Sequence, residues 1–518
     1  MGAWPFRGLS RAFSRRGELF VTSERGAAGT FELQAIRTGN AMLTHLDPTS
    51  MLAVGLLIFS LAMVLMFEAT NGFHDAANAV ATVIYTKSLK PTEAVVWSGV
   101  MNFVGVLVGG IAVAYALVEL LPAEVLSPPD GGPAVAMLIA LLASALFWNI
   151  LTWWLGLPNS SSHCLIGALI GVPVGNALAH AHALTDGIHW HQLWTVLEGL
   201  ALSPVLGFIL AGGLYLMTRK TIHDPHLYEP AGERAPVWWM RAILIFTCTG
   251  VSFAHGTNDG QKSIGMIMLT IIGLFPATYA LNPEAGHALA DLPAAMQKAQ
   301  PLIERYGDEQ KVAALDAVRF IQAQGSGITR LASAATTDRG QPVGLGSPIA
   351  QQRAGVRDKI YQVIAQLKHV EDADGAAEGD KKQAKELGKQ LGKTVEYAPW
   401  WVRILSALCL GIGTMIGYKR IVTTLGERLG RIHLTPAQGA AAEVVSAAVI
   451  GVAGFTGLPV STTHIVTSGI GGTMVSSGAG LQYGTISRIL MAWVFTLPVT
   501  ILISAAMYYL LANPSLGS

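Results

Sequence analysis

Two short stretches of this chain put ionisable side chains where the surroundings are otherwise hydrocarbon. Gly72-Phe73-His74-Asp75-Ala76-Ala77-Asn78-Ala79 follows an apolar run from Met51 to Phe67. Ala254-His255-Gly256-Thr257-Asn258-Asp259-Gly260-Gln261-Lys262 sits between apolar runs of its own. A charged side chain at the centre of a membrane helix costs about 2.5–3.5 kcal/mol on insertion scales, so an intramembrane carboxylate marks a functional site by default. Two further stretches are rich in hydroxyls: Pro158-Asn159-Ser160-Ser161-Ser162-His163 and Pro459-Val460-Ser461-Thr462-Thr463-His464.

Carboxylate, amide and carbonyl oxygens suit a hard coupling cation, and a carboxylate can instead carry the proton itself. That chemistry assigns Asp75, Asn78, Asn258 and Asp259 to a coupling cation. A transported oxyanion must shed water and meet fixed donors, which hydroxyls and backbone N–H groups at a broken helix end supply together with the helix dipole. That chemistry assigns Ser160, Ser161, Ser162, Ser461, Thr462 and Thr463 to the anion. His74, His163, His255 and His464 can titrate with pH or serve as satisfied structural histidines. Interhelical hydrogen bonding is the plain alternative for the Ser, Thr and Asn residues. Glu68 and Glu443 also lie in apolar context and read as members of a cation path or as structural groups.

The elements that position these residues must be membrane helices. Of 518 residues 51% are hydrophobic and 13% charged, against about 25% charged in soluble domains. Mean hydropathy is +0.45. Runs of roughly 20 apolar residues point to helices spanning a lipid bilayer and exclude a barrel of short alternating strands. A net charge of +1 implies no nucleic-acid partner. Cys164, Cys248 and Cys409 are separated and apolar in context, so they read as buried thiols and not as a disulfide frame or zinc site.

Along the chain, residues 1–41 form an Arg-rich tail that reads as disordered or as lying upstream of the true start, with Met42 and Met51 as candidate starts. Residues 42–217 read as an N-terminal membrane repeat with spans near 94–120, 133–155, 164–180 and 193–217. A basic linker, 218–241, follows. Residues 242–280 begin a second repeat, 281–399 form a polar extramembranous insert, and 400–518 complete the repeat with spans near 400–417, 436–456, 464–478 and 486–511. The loop 180–192 holds His180, His182, His189 and His191 at spacings too irregular for a convincing metal site.

From Asp75 to His163 is 88 positions, and from Asp259 to His464 is 205; the excess of 117 is nearly the length of the insert. Removing the insert brings the halves into register, as expected of a transporter built from two repeats. The basic segment 418–431 then matches 117–130, which has no Lys or Arg. Opposite charge bias in equivalent loops predicts opposite orientation: 42–50 and the C-terminus outside, 87–93 and 218–241 inside, and the insert outside. The expected fold is all-α, a polytopic membrane protein of about 10–12 helices in two inverted repeats with broken helices or hairpins.

At these residues the sequence resembles the inorganic phosphate transporter (PiT) family, particularly its bacterial low-affinity branch. The family's doubled Gly-Ala-Asn-Asp-Val-Ala-Asn-Ala motif is matched by Gly72–Ala79 and by Gly256-Thr-Asn-Asp-Gly-Gln-Lys-Ser263, and the paired Pro-x-Ser-x-x-His elements also match. The resemblance covers about 42–511. It implies phosphate symport by alternating access in the bacterial inner membrane, aspartates at cation sites, hydroxyls at phosphate, entry of arsenate as well, and packing as a homodimer. Two departures bear on coupling: His74 replaces an Asn of the first motif, and Lys262 replaces the last Asn of the second. An ammonium there would oppose sodium and could pair with Asp259. The resemblance associates these changes with proton coupling and with uptake of neutral complexes of hydrogen phosphate with a divalent metal such as Mg²⁺; no resident cofactor is expected. The alternatives are a sodium-coupled phosphate symporter, a transporter of another anion such as sulfate, an intramembrane Ser/His/Asp hydrolase, and a membrane scaffold.

Overall fold

The structure is a computed structural model that describes residues 51–118, 135–180, 190–230, 232, 236–275, 279–308, 310–325, 327–333, 348–373 and 375–512. The Arg-rich tail, the 121–132 loop, and His182 and His189 of the histidine loop lie outside the described residues.

The first half comprises α1 (Met51–Tyr85), α2 (Pro91–Val108), α3 (Ala112–Val118), α4 (Val135–Trp154), α5 (Ser161–Ala179) and α6 (Trp190–Thr221). Next comes α7 (Trp238–Leu274), at 37 residues the longest helix described. Six helices follow between the membrane segments: α8 (Gly286–Ala290), α9 (Leu292–Tyr306), α10 (Lys311–Gln324), α11 (Gly327–Ser333), α12 (Pro348–Asp372) and α13 (Glu378–Val395). The chain ends with α14 (Trp400–Met415), α15 (Lys419–Thr423), α16 (Pro436–Thr456), α17 (Thr462–Ser477) and α18 (Tyr483–Ala512).

Among the described residues seven helices are long and apolar enough to cross a membrane, or eight if α13 and α14, bent by 88°, count as one span. The chain is therefore an all-helical, multi-pass membrane protein. α7 has the length to cross, but its polar middle keeps it out of those seven. Helix ends follow local chemistry. Gly156 (φ +69) and Gly457 (φ +81) take the left-handed region that stops α4 and α16. A Leu-Pro pair follows each. Ser160 and Ser461 then cap α5 and α17 by accepting from the backbone N–H of His163 and His464.

The span expected near 94–120 is instead two helices, with Gly109 extended between them. Polar side chains satisfy the backbone groups this break exposes: Gln261 Oε1 accepts from the Val113 N–H at 2.9 Å, and Arg403 Nη1 donates to the Gly109 carbonyl at 3.1 Å.

Packing follows a pattern that survives exchange of the halves. α5 packs on α18 and α17 on α6; α1 packs on α14 and α7 on α2; α4 packs on α18 and α16 on α6. The equivalent helices α1 and α7 run antiparallel, since Glu68 meets Ser263, Asp75 approaches His255 and Asp259, and Thr82 and Thr247 converge on Glu443. This is the inverted arrangement the charge bias predicts. One apolar cluster takes α1 up to Phe67 and α7 from Ile264 onward; the other takes α1 from Ala77 and α7 up to Ala254. The polar motifs occupy the layer between them. A third cluster, Leu281 to Val395, belongs to α8–α13 and the residues beside them.

Small residues set the interhelical distances, as membrane helices require. A Cβ at Gly171 of α5 would lie 2.5 Å from the Ile501 carbonyl of α18, and one at Gly207 of α6 would lie 2.5 Å from the Ile465 carbonyl of α17. Gly213, also on α6, has nothing within 4 Å of an added Cβ. Gly207→Leu is expected to cost about 1–3 kcal/mol, the usual range for overpacking, and Gly213→Leu close to nothing. Thermal unfolding in detergent, followed by fluorescence-detected size exclusion, checks this; equal shifts for the two variants would refute the packing assignment.

Candidate functional site

The middle of α1 reaches the middle of α7 because each carries its motif on the face turned toward the other. Asp75, on α1, is 3% exposed. One carboxylate oxygen accepts from Thr463 and from Asn78 Nδ2 at 3.0 Å. The other accepts from Thr462 Oγ1 at 3.1 Å and Ser161 Oγ at 3.4 Å. These hydroxyls come from the first turns of α5 and α17, whose N-termini meet here: Ser162 Oγ donates to the Val460 carbonyl at 3.0 Å. Ser161 has a single proton, and Asn71 Oδ1 at 2.6 Å is its nearer acceptor, so Asp75 and Asn71 compete for that one donor.

Asp259, on α7, has a different partner set although it is the repeat equivalent of Asp75. Lys262 Nζ lies 2.6 Å from its Oδ1, and donates also to Ser162 Oγ at 2.5 Å and to the Val460 carbonyl at 3.3 Å. Those three acceptors use the full donor capacity of the ammonium. Burying such a pair is costly, and its attraction compensates only when the remaining protons and lone pairs are satisfied. The Lys262–Asp259 pairing is the one expected from the sequence.

His255 connects the two aspartates. Its Nε2 lies 3.5 Å from Asp75 Oδ2 and 3.5 Å from Asp259 Oδ2. The ring orientation follows from a hydrogen-bond chain. Thr414 Oγ1 donates to the Leu410 carbonyl at 2.9 Å, so it accepts from Asn102 Nδ2 at 3.0 Å. Asn102 Oδ1 then faces His255 Nδ1 at 2.8 Å, which places the ring proton on Nδ1. Nε2 is left facing two carboxylates. With Nε2 unprotonated the cluster of Asp75, Asp259, His255 and Lys262 carries one excess negative charge; with it protonated, none. Asp75, His255 and Asp259 offer three ligand atoms within 4.8 Å of one another, enough to hold a cation.

Most of the residues singled out from sequence meet in this cluster: Asp75, Asn78, Ser161, Ser162, Thr462, Thr463, His255, Asp259 and Lys262. The carboxylate set and the hydroxyl set, assigned to different ligands from sequence, are in direct contact here, because Thr462, Thr463 and Ser161 face Asp75. Ser160 and Ser461 act as helix caps. His74 turns away to the Asn149 carbonyl at 2.7 Å. The His163 and His464 rings lie 4.5 Å apart and tilted, and Trp493 stacks on His464 at 3.9 Å. Asn258 is fully buried, and among the described residues neither polar atom of its side chain has a hydrogen-bond partner. Sequence reasoning missed Asn71, Asn102 and the Val460 carbonyl. Asn71 adjoins the first motif, and Asn102 is an isolated amide in an apolar helix, so both left a trace in the sequence.

The profile described as the phosphate transporter family matches residues 71–504. The chain belongs to this family. It is similar to the low-affinity inorganic phosphate transporter PitA of Escherichia coli strain K12, 40% identical over 483 residues that cover 88% of this chain and 96% of the relative. PitB of the same strain, also described as a low-affinity inorganic phosphate transporter, is 38% identical with the same coverage of both chains. A probable low-affinity inorganic phosphate transporter of Bacillus subtilis strain 168 is 27% identical, covering 88% of this chain and 98% of the relative. A solved structure titled "The sodium-dependent phosphate transporter" aligns with a TM-score of 0.49 at 18% identity, covering 88% of this chain and 99% of the other. Membership in a transporter family removes the hydrolase and scaffold alternatives: the protein is a transporter and not an enzyme.

The buried pair generates a stability prediction. Asp259→Asn strands the Lys262 ammonium and is expected to destabilise by about 3–5 kcal/mol. The double variant Asp259→Asn/Lys262→Met is expected to recover most of that. Thermal unfolding in detergent measures both; a double variant no more stable than the single would show that the pair is not what holds this layer together.

Proposed function

We propose that the protein is a secondary active importer of inorganic phosphate in the bacterial inner membrane. Import is coupled to protons and carries phosphate partly as a neutral complex with a divalent metal. The observation that carries the choice of coupling ion is the Lys262 ammonium, seated 2.6 Å from Asp259 where the repeat equivalent Asn78 adjoins Asp75. A fixed cation at that carboxylate opposes a second cation such as sodium by direct repulsion. A proton needs no such space.

Sharing of hydroxyls supports a coupling mechanism. Ser161, Thr462 and Thr463 donate to Asp75 while it is ionised. Protonating Asp75 removes the negative charge that holds those donors, and they turn to the oxygens of phosphate. Proton and phosphate then favour each other's binding, which is the coupling free energy a symporter needs. Lys262 adds its positive charge beside the anion side, and the facing N-termini of α5 and α17 add their dipoles. His255, between the two aspartates, is the natural second proton acceptor. A divalent metal travelling with the phosphate cancels its charge and lowers the cost of crossing a buried layer. Arsenate, nearly the same in shape and charge, fits the same donors. Rocking of the two repeats around the cluster exposes it to either side in turn.

One observation favours a sodium-coupled alternative: around Asp75 the oxygens of Ser161, Thr462, Thr463 and Asn71 form a set suited to a hard cation. Labelled phosphate uptake into proteoliposomes separates the readings. Under the proton reading, an inward pH gradient drives accumulation, Mg²⁺ raises it, and an imposed sodium gradient does neither. Lys262→Asn, which restores the amide of the first motif, is then expected to acquire a response to sodium. Accumulation in the native protein driven by sodium alone would overturn the proton reading and leave the phosphate reading standing.

A further inference from the structure

Two carboxylates outside the central cluster are fully buried, Glu68 and Glu443, each at 0% exposure. Glu68 accepts from Ser263, from Ser406 Oγ at 3.3 Å and from Asn71 Nδ2 at 3.4 Å. Glu443 accepts from Thr82 and Thr247. Among the described residues no Lys, Arg or His nitrogen lies within 4.0 Å of either carboxylate. An ionised carboxylate in such a place has no countercharge within ion-pair distance among the described residues, and the smallest one that fits is a proton.

Their placement is ordered. Glu68, Asp75 and Thr82 stand at i, i+7 and i+14 of α1, one face of the helix with roughly 20° of drift per heptad. Antiparallel to them along α7 stand Ser263, the His255–Asp259 pair and Thr247. Seven residues of helix rise about 10.5 Å, so Glu68 and Glu443 lie toward opposite ends of the polar layer with Asp75 and His255 between them.

We propose that Glu68 and Glu443 are proton-binding stations that flank the central cluster, one toward each end of the α1–α7 seam. The proposal rests on the proton reading given above and extends it to residues outside the phosphate site. The hydroxyl partners suit both protonation states, since a Ser or Thr hydroxyl can donate or accept. When Glu443 is ionised, Thr82 and Thr247 donate to it. When it is protonated, each has a backbone carbonyl in reach, Ala79 at 3.4 Å and Leu244 at 3.0 Å, and one of them can accept the carboxyl proton. Ser406 has the same choice at Glu68, with the Gly260 carbonyl at 3.4 Å. The groups facing Glu68 are Asp259 and His255 of α7 and Cys409 of α14, and the group facing Glu443 is Cys248 of α7. No other charged group competes for either proton among the described residues.

The test compares two modes of phosphate movement in proteoliposomes, for native protein and for Glu68→Gln and Glu443→Gln. Net accumulation driven by a pH gradient requires proton release; exchange of labelled for unlabelled phosphate at equal pH does not. Each Gln variant is expected to lose accumulation at least tenfold while keeping exchange within twofold, and Glu443→Asp to restore accumulation. Accumulation at the native level in both Gln variants would overturn the proposal. So would loss of exchange to the same degree as accumulation, which would mark the residues as structural. If the variants fail to fold, infrared difference spectra of native protein across a pH titration decide instead. Protonated-carboxyl bands that appear and vanish are expected, and their absence overturns the proposal. A native protein that ignores the pH gradient and follows sodium defeats the proton reading itself, an outcome distinct from variants that accumulate normally under a pH gradient.

Discussion

Burying two carboxylates in the middle of a membrane protein is the constraint on which the rest of this structure depends. Asp75 and Asp259 cannot be left bare in hydrocarbon, so each must collect donors, and no single helix can supply enough. α1 brings Asn78, α5 brings Ser161, α17 brings Thr462 and Thr463, and α7 brings His255 and Lys262. Every one of those helices must end or pass at the same depth. The two helix breaks, with Gly156 and Gly457 in the left-handed region and a proline after each, put the first turns of α5 and α17 there. The small residues between α5 and α18 and between α6 and α17 let these helices come close enough to stay.

The repeats share one architecture and differ in their chemistry. Exchanging the halves preserves which helices pack together. It does not preserve the partners of the aspartates, because Asn78 on one side corresponds to Lys262 on the other. One carboxylate therefore rests in neutral hydroxyls and an amide that can be lent to a passing anion, while the other is held by a fixed ammonium that also grips Ser162. An asymmetric site at the centre of a symmetric frame can respond to a proton on one side without losing its anchor on the other. The single histidine between the aspartates sets whether the cluster carries an excess negative charge.

Much of this was legible in the chain. Polar residues inside apolar runs mark the site, because hydrocarbon makes each of them costly and so informative. The spacing of the motifs, corrected for the 281–399 stretch, brought the halves into register, and loop charges indicated their inversion. Among the described residues, the seven helices long and apolar enough to cross a membrane announce themselves by length and hydropathy. The Asp259–Lys262 pair was foreseeable because three residues along a helix are neighbours on one face.

What tertiary structure alone decided concerns contacts between residues far apart in the chain. That Ser161, Thr462 and Thr463 serve Asp75, that Asn102 and Thr414 orient His255, that Glu443 lies between Thr82 and Thr247, and that α2 stops at Val108 with its broken end satisfied by Gln261 and Arg403 could not be read from motif spacing. Composition and periodicity report what a residue costs in its own helix and which face it occupies. They are silent on which distant group meets that cost, because the pairing depends on how helices from the two repeats interlock.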